Sequence, residues 1–354
     1  MRTRRPSFVA SVLVLAVIAA GCSGDDSASG TKKTTTTETE RTTTTEAATS
    51  TTAPPPPVAP LTGLPVTGDQ GSRMGRPALA VKIDNSPEAL PQSGVNNTDL
   101  VFEIQVEGIS RLMAVFHTNE AGKIGPTRSA RYSDPPILAM FGTALFGWSG
   151  ANKGVTQKVE SSAWINNVNW NAYPKEYARS RDRKAPHNLY TTSSLFQHAR
   201  PGEGPPPTLF QYLAPGEGNA SATPVAGVNE QVGTTKSAWV WNPTVGQYLR
   251  WEYGKRHGTT DAGQVWANNV VILDTQYTPG PVAVTVGAGK ALVLTGGVAV
   301  PGVWSRADQS LPYTLTANDG SPIKISPGRT WVELPNHPYG PMPPELAAGL
   351  LAGR

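Results

Sequence analysis

"LVFEIQVEGISRLMAVFH", Leu100 to His117, decides the class of fold this chain adopts. Leu100, Phe102, Ile104 and Val106 recur with period two, the spacing that sets alternate side chains on one face of a strand. Gly108 lets the chain turn, and "RLMAVFH", Arg111 to His117, supplies the hairpin partner. Glu103 and Gln105 are then expected on a polar strand face. Working outward, "ALAVKID" (Ala78 to Asp84) and "ALFGWSG" (Ala144 to Gly150) read as further strands, while Pro126 to about Met140 and the stretch after Thr191 read as helical. Such interleaving implies an α/β or α+β domain built on a mixed sheet.

Pro and Gly crowd "ARPGEGPPPTLFQYLAPGEGNASATPVAG", Ala199 to Gly227, where hydrophobic periodicity fails. This places a linker at residues 201–230, between an N-terminal domain at 61–200 and a smaller β-rich C-terminal domain at 231–340, with 341–354 as a tail. Strand candidates in the second domain are "SAWVW", "QYLRWEY", "NNVVILDT", "VAVTV", "KALVLT", "YTLTA", "PIKIS" and "TWVEL". Asp319-Gly320 marks a hairpin turn and Pro327-Gly328 the next one.

Upstream, Arg2, Arg4 and Arg5 precede an apolar run from Phe8 to Ala20, which ends in "IAAGC". A charged segment, a short apolar run and small residues make an export signal over residues 1–21. The run is shorter than the ~20 residues that cross a bilayer. Cys22 is the single cysteine among 354 residues and stands where a bacterial lipobox carries its lipidated cysteine. The expected address is therefore the cell membrane, with a lipid anchor on Cys22 and the chain facing outside the cytoplasm. Residues 22–60 hold almost no large apolar side chains, cannot offset their ordering entropy by burial, and read as a tether reaching about 35 Å. The formal charge of +4 falls to +1 without the three signal arginines, so neither charge nor compartment supports nucleic-acid binding.

"PLTGLPV", "RPALAVKIDN", "PQSGVNNTDLVFE", "VEGISRLMAVF", "KIGPTRSAR" and "APHNLYT" follow one another in an order that resembles the YerB family, catalogued as bacterial lipoproteins with two domains of unknown function. "VLTGGVAVPGVWSRADQSLPYTLTANDGSPIKISPGRTWVEL" resembles that family's smaller C-terminal domain. "VEGISR" lacks a second glycine usual in the family, which implies a tighter turn. The resemblance implies a two-domain, membrane-anchored envelope protein and delivers no reaction.

Chemistry has to come from residues. In "KIGPTRSAR", Pro126 or Thr127 is expected to open a helix, which would put Arg128 and Arg131 on one face of its first turns. Cations there oppose the helix dipole, and an anion would relieve them; acids of the same domain are the alternative partner. In "RSRDRKAPHNLYTT", His187 and Asn188 follow a basic run, and tyrosines and tryptophans nearby (Tyr173, Tyr177, Tyr190, Trp164, Trp170) would suit stacking on sugars. Asp84 ends a strand, where α/β sheets tend to place ligands. Glu103 and Glu107, four residues apart on a strand, are ~13 Å apart and too far for a glycosidase pair; Glu107, near Arg111, is the better candidate. No metal-ligand motif, phosphate loop or nucleophile elbow is present, and no cofactor is implied.

The leading expectation is a binding module that takes an anionic wall polymer or peptide through Arg111, Arg128, Arg131, His187 and Asn188. The alternative is a hydrolase or transferase acting on a wall polymer, with His187 as general acid or base and Asp84 or Glu107 as its partner. A third reading makes the arginines internal salt-bridge partners in a structural envelope protein.

Overall fold

A computed structural model describes residues 56–353. The export signal, Cys22 and nearly all of the tether lie outside the described residues. The hairpin forms as read: β1 (Leu79–Asp84) pairs antiparallel with β3 (Ile109–Phe116), and β3 with β2 (Leu100–Val106). Val106 faces Ile109 across a tight Glu107-Gly108 turn, in which Glu107 takes a φ of 46°. After the short helix α1 (Asp134–Leu138), β4 (Ala144–Gly147) and β5 (Ile165–Asn167) extend the sheet in parallel beyond β1, joined by the crossover helix α2 (Lys153–Glu160). The Asn152 side chain caps α2 by accepting from the Val155 N–H.

Beyond the Pro/Gly-rich stretch, β6 (Gly227–Val232), β7 (Thr235–Asn242), β8 (Gln247–Glu252) and β9 (Lys255–Arg256) form a second, antiparallel sheet. The chain then rejoins the first sheet through β10 (Asn269–Leu273), β11 (Gly287–Thr295), β12 (Val298–Arg306), β13 (Thr314–Ala317) and β14 (Thr330–Leu334). β14 lies between β2 and β10, parallel to both, giving the order β13-β12-β11-β10-β14-β2-β3-β1-β4-β5. A strand so placed has both faces covered, so all five residues of "TWVEL" are buried, Glu333 included. The result is a mixed sheet with helices in the N-terminal part and a C-terminal part rich in strands.

One face of the large sheet packs Phe102, Ile104, Met113 and Val115 against Ile137, Leu138, Val155 and Val159 of the helices. The other packs Val101, Leu112 and Trp331 against Trp239 and Tyr248 of the second sheet. The face of β2 expected to be polar is therefore an interior face, and Glu103 is fully buried under the second sheet.

The layer between the sheets is charged. Arg250, with no exposed surface, donates to Glu103 and Ser237 through Nη2 and to Glu252 through Nη1, and lies over the rings of Trp331 and Trp239 at 5.2 and 5.8 Å. Glu333, beside Glu103 on the adjacent strand, accepts from Trp239 Nε1 at 2.9 Å. Glu230 is buried, and neither of its oxygens has a partner among the described residues. Burial opposes the charge on Arg250, but Glu103, Glu252, Glu333 and Glu230 outweigh it and push its pKa up. The glutamates also rise above the usual carboxylate range: burial first, then the charge of Glu103, pushes Glu230 up to about 8 and Glu333 well up. Glu252 is raised to about 7 by burial, despite the Arg250 charge. His257 is kept neutral by burial and by Arg250; its Nδ1 faces the guanidinium, and its Nε2–H donates to Gln92 Oε1 at 2.7 Å.

Three expected elements differ. The helix expected from Pro126 begins only at Asp134, "VAVTV" is a strand only at Val282–Ala283, and "PIKIS" forms no strand, touching its neighbours through single bridges such as that of Ile325 with Tyr212. Ser193–His198, after Thr191, is a 3-10 helix, and Pro344–Leu351 closes the described chain as α3.

Folded-state carboxyls with raised pKa contribute stability that is fully present below the unfolded value of ~4.3 and is lost as the pH rises through the folded value. Stability should therefore decline between about pH 4.5 and 8 as Glu252 and Glu230 ionise. Glu230→Gln should leave stability near pH 5 almost unchanged and raise it at pH 8.5 by on the order of 2 kcal/mol, read from urea unfolding. Arg250→Met should cost about 3–5 kcal/mol at pH 8 and less at pH 5, where protonation replaces the missing counter-charge.

Candidate functional site

The site lies where the apolar stripe of β1 and β3 gives way to charge. Ala78 and Ala80 are followed on the same face by Lys82 and Asp84; Val115 and Met113 are followed by Arg111, which stands opposite Asp84 in the register. β4 covers only Leu79–Val81, leaving the end of β1 open on that side. "KIGPTRSAR" fills the gap as an extended strap. The Asp84 N–H donates to Pro126 O at 2.8 Å, the Arg128 N–H to Lys82 O at 2.8 Å, and Thr127 bonds Leu189 on the strap's far side at 2.6 Å.

These bonds explain why no helix starts here. The strap's amides are committed to neighbouring chain segments, and Gly125 has a φ of 143°, with Leu189, Tyr190 and Thr127 too close to admit a Cβ. Arg128 and Arg131 therefore do not oppose a helix dipole as expected. They oppose each other and Arg111.

Arg128 Nε donates to Asp84 Oδ2 at 3.1 Å, and Arg131 Nη2 to Glu107 Oε1 at 2.5 Å. Arg111 is 3% exposed; its Nη1 donates to Ser129 O at 3.1 Å, its Nη2 lies 3.9 Å from Glu107, and its Nε has no partner among the described residues. Burial, then the charges of Arg131 and Arg128, lower its pKa to about 10. A buried ion pair beneath them, Lys82 Nζ to Asp134 Oδ1 at 2.6 Å, was not anticipated, although a lysine inside the run "ALAVKID" was its signal. The other oxygen of Asp134 accepts the Arg131 N–H at 2.7 Å. Asp134 is thus spent, and the three arginines share Asp84 and Glu107.

His187 joins the same carboxylate. Its Nδ1 lies 2.8 Å from Asp84 Oδ2 and 3.1 Å from Ser86 Oγ, so Asp84 and Ser86 meet one ring nitrogen and no serine is aligned on Nε2. Asp84 also accepts the Ser86 N–H, leaving it no role as a free base. Asn188 is not at the site's surface: its Oδ1 accepts from Arg179, and its Nδ2 donates to Ser180 O and Arg183 O, closing the loop before His187. Glu103 and Glu107 serve separate environments, one buried at Arg250 and one exposed at the hairpin turn.

The strap also edges an open cleft of about 440 Å³ lined by Lys123, Lys175, Arg179, Glu176, Tyr177 and Tyr190, with three cations to one acid. Lys123 Nζ lies 4.3 Å over the Tyr190 ring, and Arg179 4.7 Å over Trp170. Tyr177 is buried core with its hydroxyl bonded to Val168 O, and Tyr173 packs on His198, so these two are committed internally.

Two family models match the chain: the N-terminal domain of "Protein of unknown function (DUF3048)" over residues 61–205 and the DUF3048 C-terminal domain over residues 228–332. The "Putative lipoprotein YerB" of Bacillus subtilis (strain 168) is 26% identical over 291 residues, spanning 78% of this chain and 85% of the relative. The crystal structure of the YerB protein from Bacillus subtilis shares the fold, with a TM-score of 0.66 at 23% identity over 80% of this chain and 99% of that one. With both domain models matched in order, the chain belongs to the DUF3048 family, and the likeness to YerB read from its motifs is borne out.

Proposed function

We propose that this protein is an exported lipoprotein, anchored to the outer face of the cell membrane through Cys22, whose folded part binds an anionic cell-envelope ligand, a wall polymer or peptide. The address is supported by the signal and lipobox of the sequence and by the lipoprotein name of the YerB relative. The binding role rests on one observation: among the described residues, buried Arg111 has no partner at Nε, beside Arg128 and Arg131, and Asp84 and Glu107 are the acids left to serve all three. A phosphate or carboxylate entering there would pair the open guanidinium positions and relieve their mutual repulsion. His187 Nε2, free of partners among the described residues, is the fourth contact. The basic cleft at Lys123, Lys175 and Arg179 extends the same field along a polymer.

The alternative, a wall-polymer hydrolase or transferase, is favoured by the Asp84–His187 contact at 2.8 Å, which orients the ring and turns Nε2 outward as an acid or base. Its partner for the proton would be the substrate itself.

In sedimentation with isolated cell envelopes, Arg128→Ala combined with Arg131→Ala should weaken binding at least tenfold, and wild-type binding should fall steeply as salt rises from 50 to 500 mM, an ionic-strength range over which exposed charges are screened at about 14 to 4 Å. Unchanged binding by a folded double variant would refute the binding role. Turnover of wall material abolished by His187→Ala, with binding retained, would establish the enzyme instead. Cys22→Ser should move the protein from the membrane fraction to the soluble fraction, measured by fractionation and blotting.

A further inference from the structure

A second cleft lies away from the strap, between the Pro87–Pro91 loop and the β8–β9 turn. It encloses about 530 Å³ and is lined by Pro87, Leu90, Pro91, Glu252, Tyr253, Lys255, Arg256 and His257. Its walls are chiefly apolar, and Arg183 braces one of them by donating to Ala89 O and Pro91 O. The opposite wall holds Tyr253 at a φ of 49°, a conformation costly for an aromatic residue.

Two features point to an occupant. At the mouth, Lys255 and Arg256 are exposed; Arg256 Nη2 donates to Leu351 O at 3.3 Å, and neither residue is in an ion pair among the described residues. At the floor, Glu252 is 3% exposed; its Oε2 is taken by Arg250 and lies 3.3 Å from His257, while its Oε1 has no partner among the described residues. The nearby Asn85 amide already donates to Ser110 at 2.9 Å and to Glu103 at 3.4 Å. A buried acceptor left open costs about 1–3 kcal/mol unless a donor reaches it. β9 is also an edge strand of the second sheet, so its outer backbone groups are free to meet another extended chain.

We propose that this cleft binds the carboxyl end of a short peptide: its carboxylate at Lys255 and Arg256, an apolar side chain against Leu90, Pro87 and Pro91, and a backbone N–H donated to Glu252 Oε1. The chemistry of each wall selects this class. A neutral apolar molecule would leave the two cations without a counter-charge, and a bare inorganic anion would leave the apolar walls and the floor acceptor unused.

The test is a calorimetric titration of the full-length chain with N-acetyl-leucyl-alanine and with the same dipeptide as its C-terminal amide. The free acid should bind, and the amide should bind at least tenfold more weakly. Lys255→Glu with Arg256→Glu, both at the surface and away from the core, should abolish acid binding while the thermal midpoint stays within a few degrees. Glu252→Gln should also weaken it about tenfold: the amide oxygen stays with Arg250, which turns the NH₂ group toward the cleft and sets donor against donor. Equal binding of acid and amide, or acid binding indifferent to the Lys255 and Arg256 reversals, overturns the proposal. So does the absence of binding to the folded wild-type protein. Arg128→Ala should leave this binding unchanged, so failure here and failure of the strap arginines as an anion site are separately readable.

Discussion

The contact on which the architecture depends is the guanidinium of Arg250 among four buried glutamates. Glu103 and Glu333 come from adjacent strands of the large sheet, Glu230 and Glu252 from the second sheet, and Arg250 is the cation on which all four charges act. Without it, two sheets that each present carboxylates inward would close only at a cost of several kcal/mol or by taking up protons, because unpaired buried charge is unfavourable. The guanidinium meets this with donors to both sheets, and Trp239 and Trp331 hold it laterally. The remaining excess negative charge is settled by protons, as the raised pKa values of Glu230 and Glu252 express.

That network reaches the surface site through a continuous set of hydrogen bonds. Arg250 meets His257, His257 donates to Gln92, and Gln92 Nε2 donates to both Asn85 Oδ1 and Asp84 O. Asn85 in turn ties to Ser110 and Glu103. The backbone beside Asp84 is therefore fixed from below, while its side chain is fixed from above by Arg128 and His187. A carboxylate held from both sides positions the two groups that face solvent, and this is how the packing between the sheets bears on the strap arginines.

Much of the fold was legible because period-two patterning is a local signal. The hairpin at Leu100 to Phe116, the strand "TWVEL" and the Asp319-Gly320 turn each follow from a few neighbouring residues. The strap was not legible for the complementary reason. Pro126 and the residues after it suit a helix start, but the open end of β1 and Leu189, more than 60 residues downstream, claim those amides, and only tertiary structure brings them together. Glu103 was misplaced on a polar face because a strand does not disclose whether a second sheet covers it. Asp84 and His187 were each singled out from sequence and do meet, as do Glu107 and Arg131. Arg250, inside "QYLRWEY", passed unnoticed, since a single arginine in a strand usually points to water.

The proposed anion site turns on Arg111 Nε, a buried donor with no partner among the described residues. The direct measurement is the arginine Nε–Hε spectrum of the ¹⁵N-labelled full-length chain during titration with inorganic phosphate. Saturable movement of the Arg111 resonance, with Arg128 and Arg131 following and lost in Arg128→Ala, is the predicted result. An Arg111 resonance that stays fixed at every phosphate concentration would contradict the account.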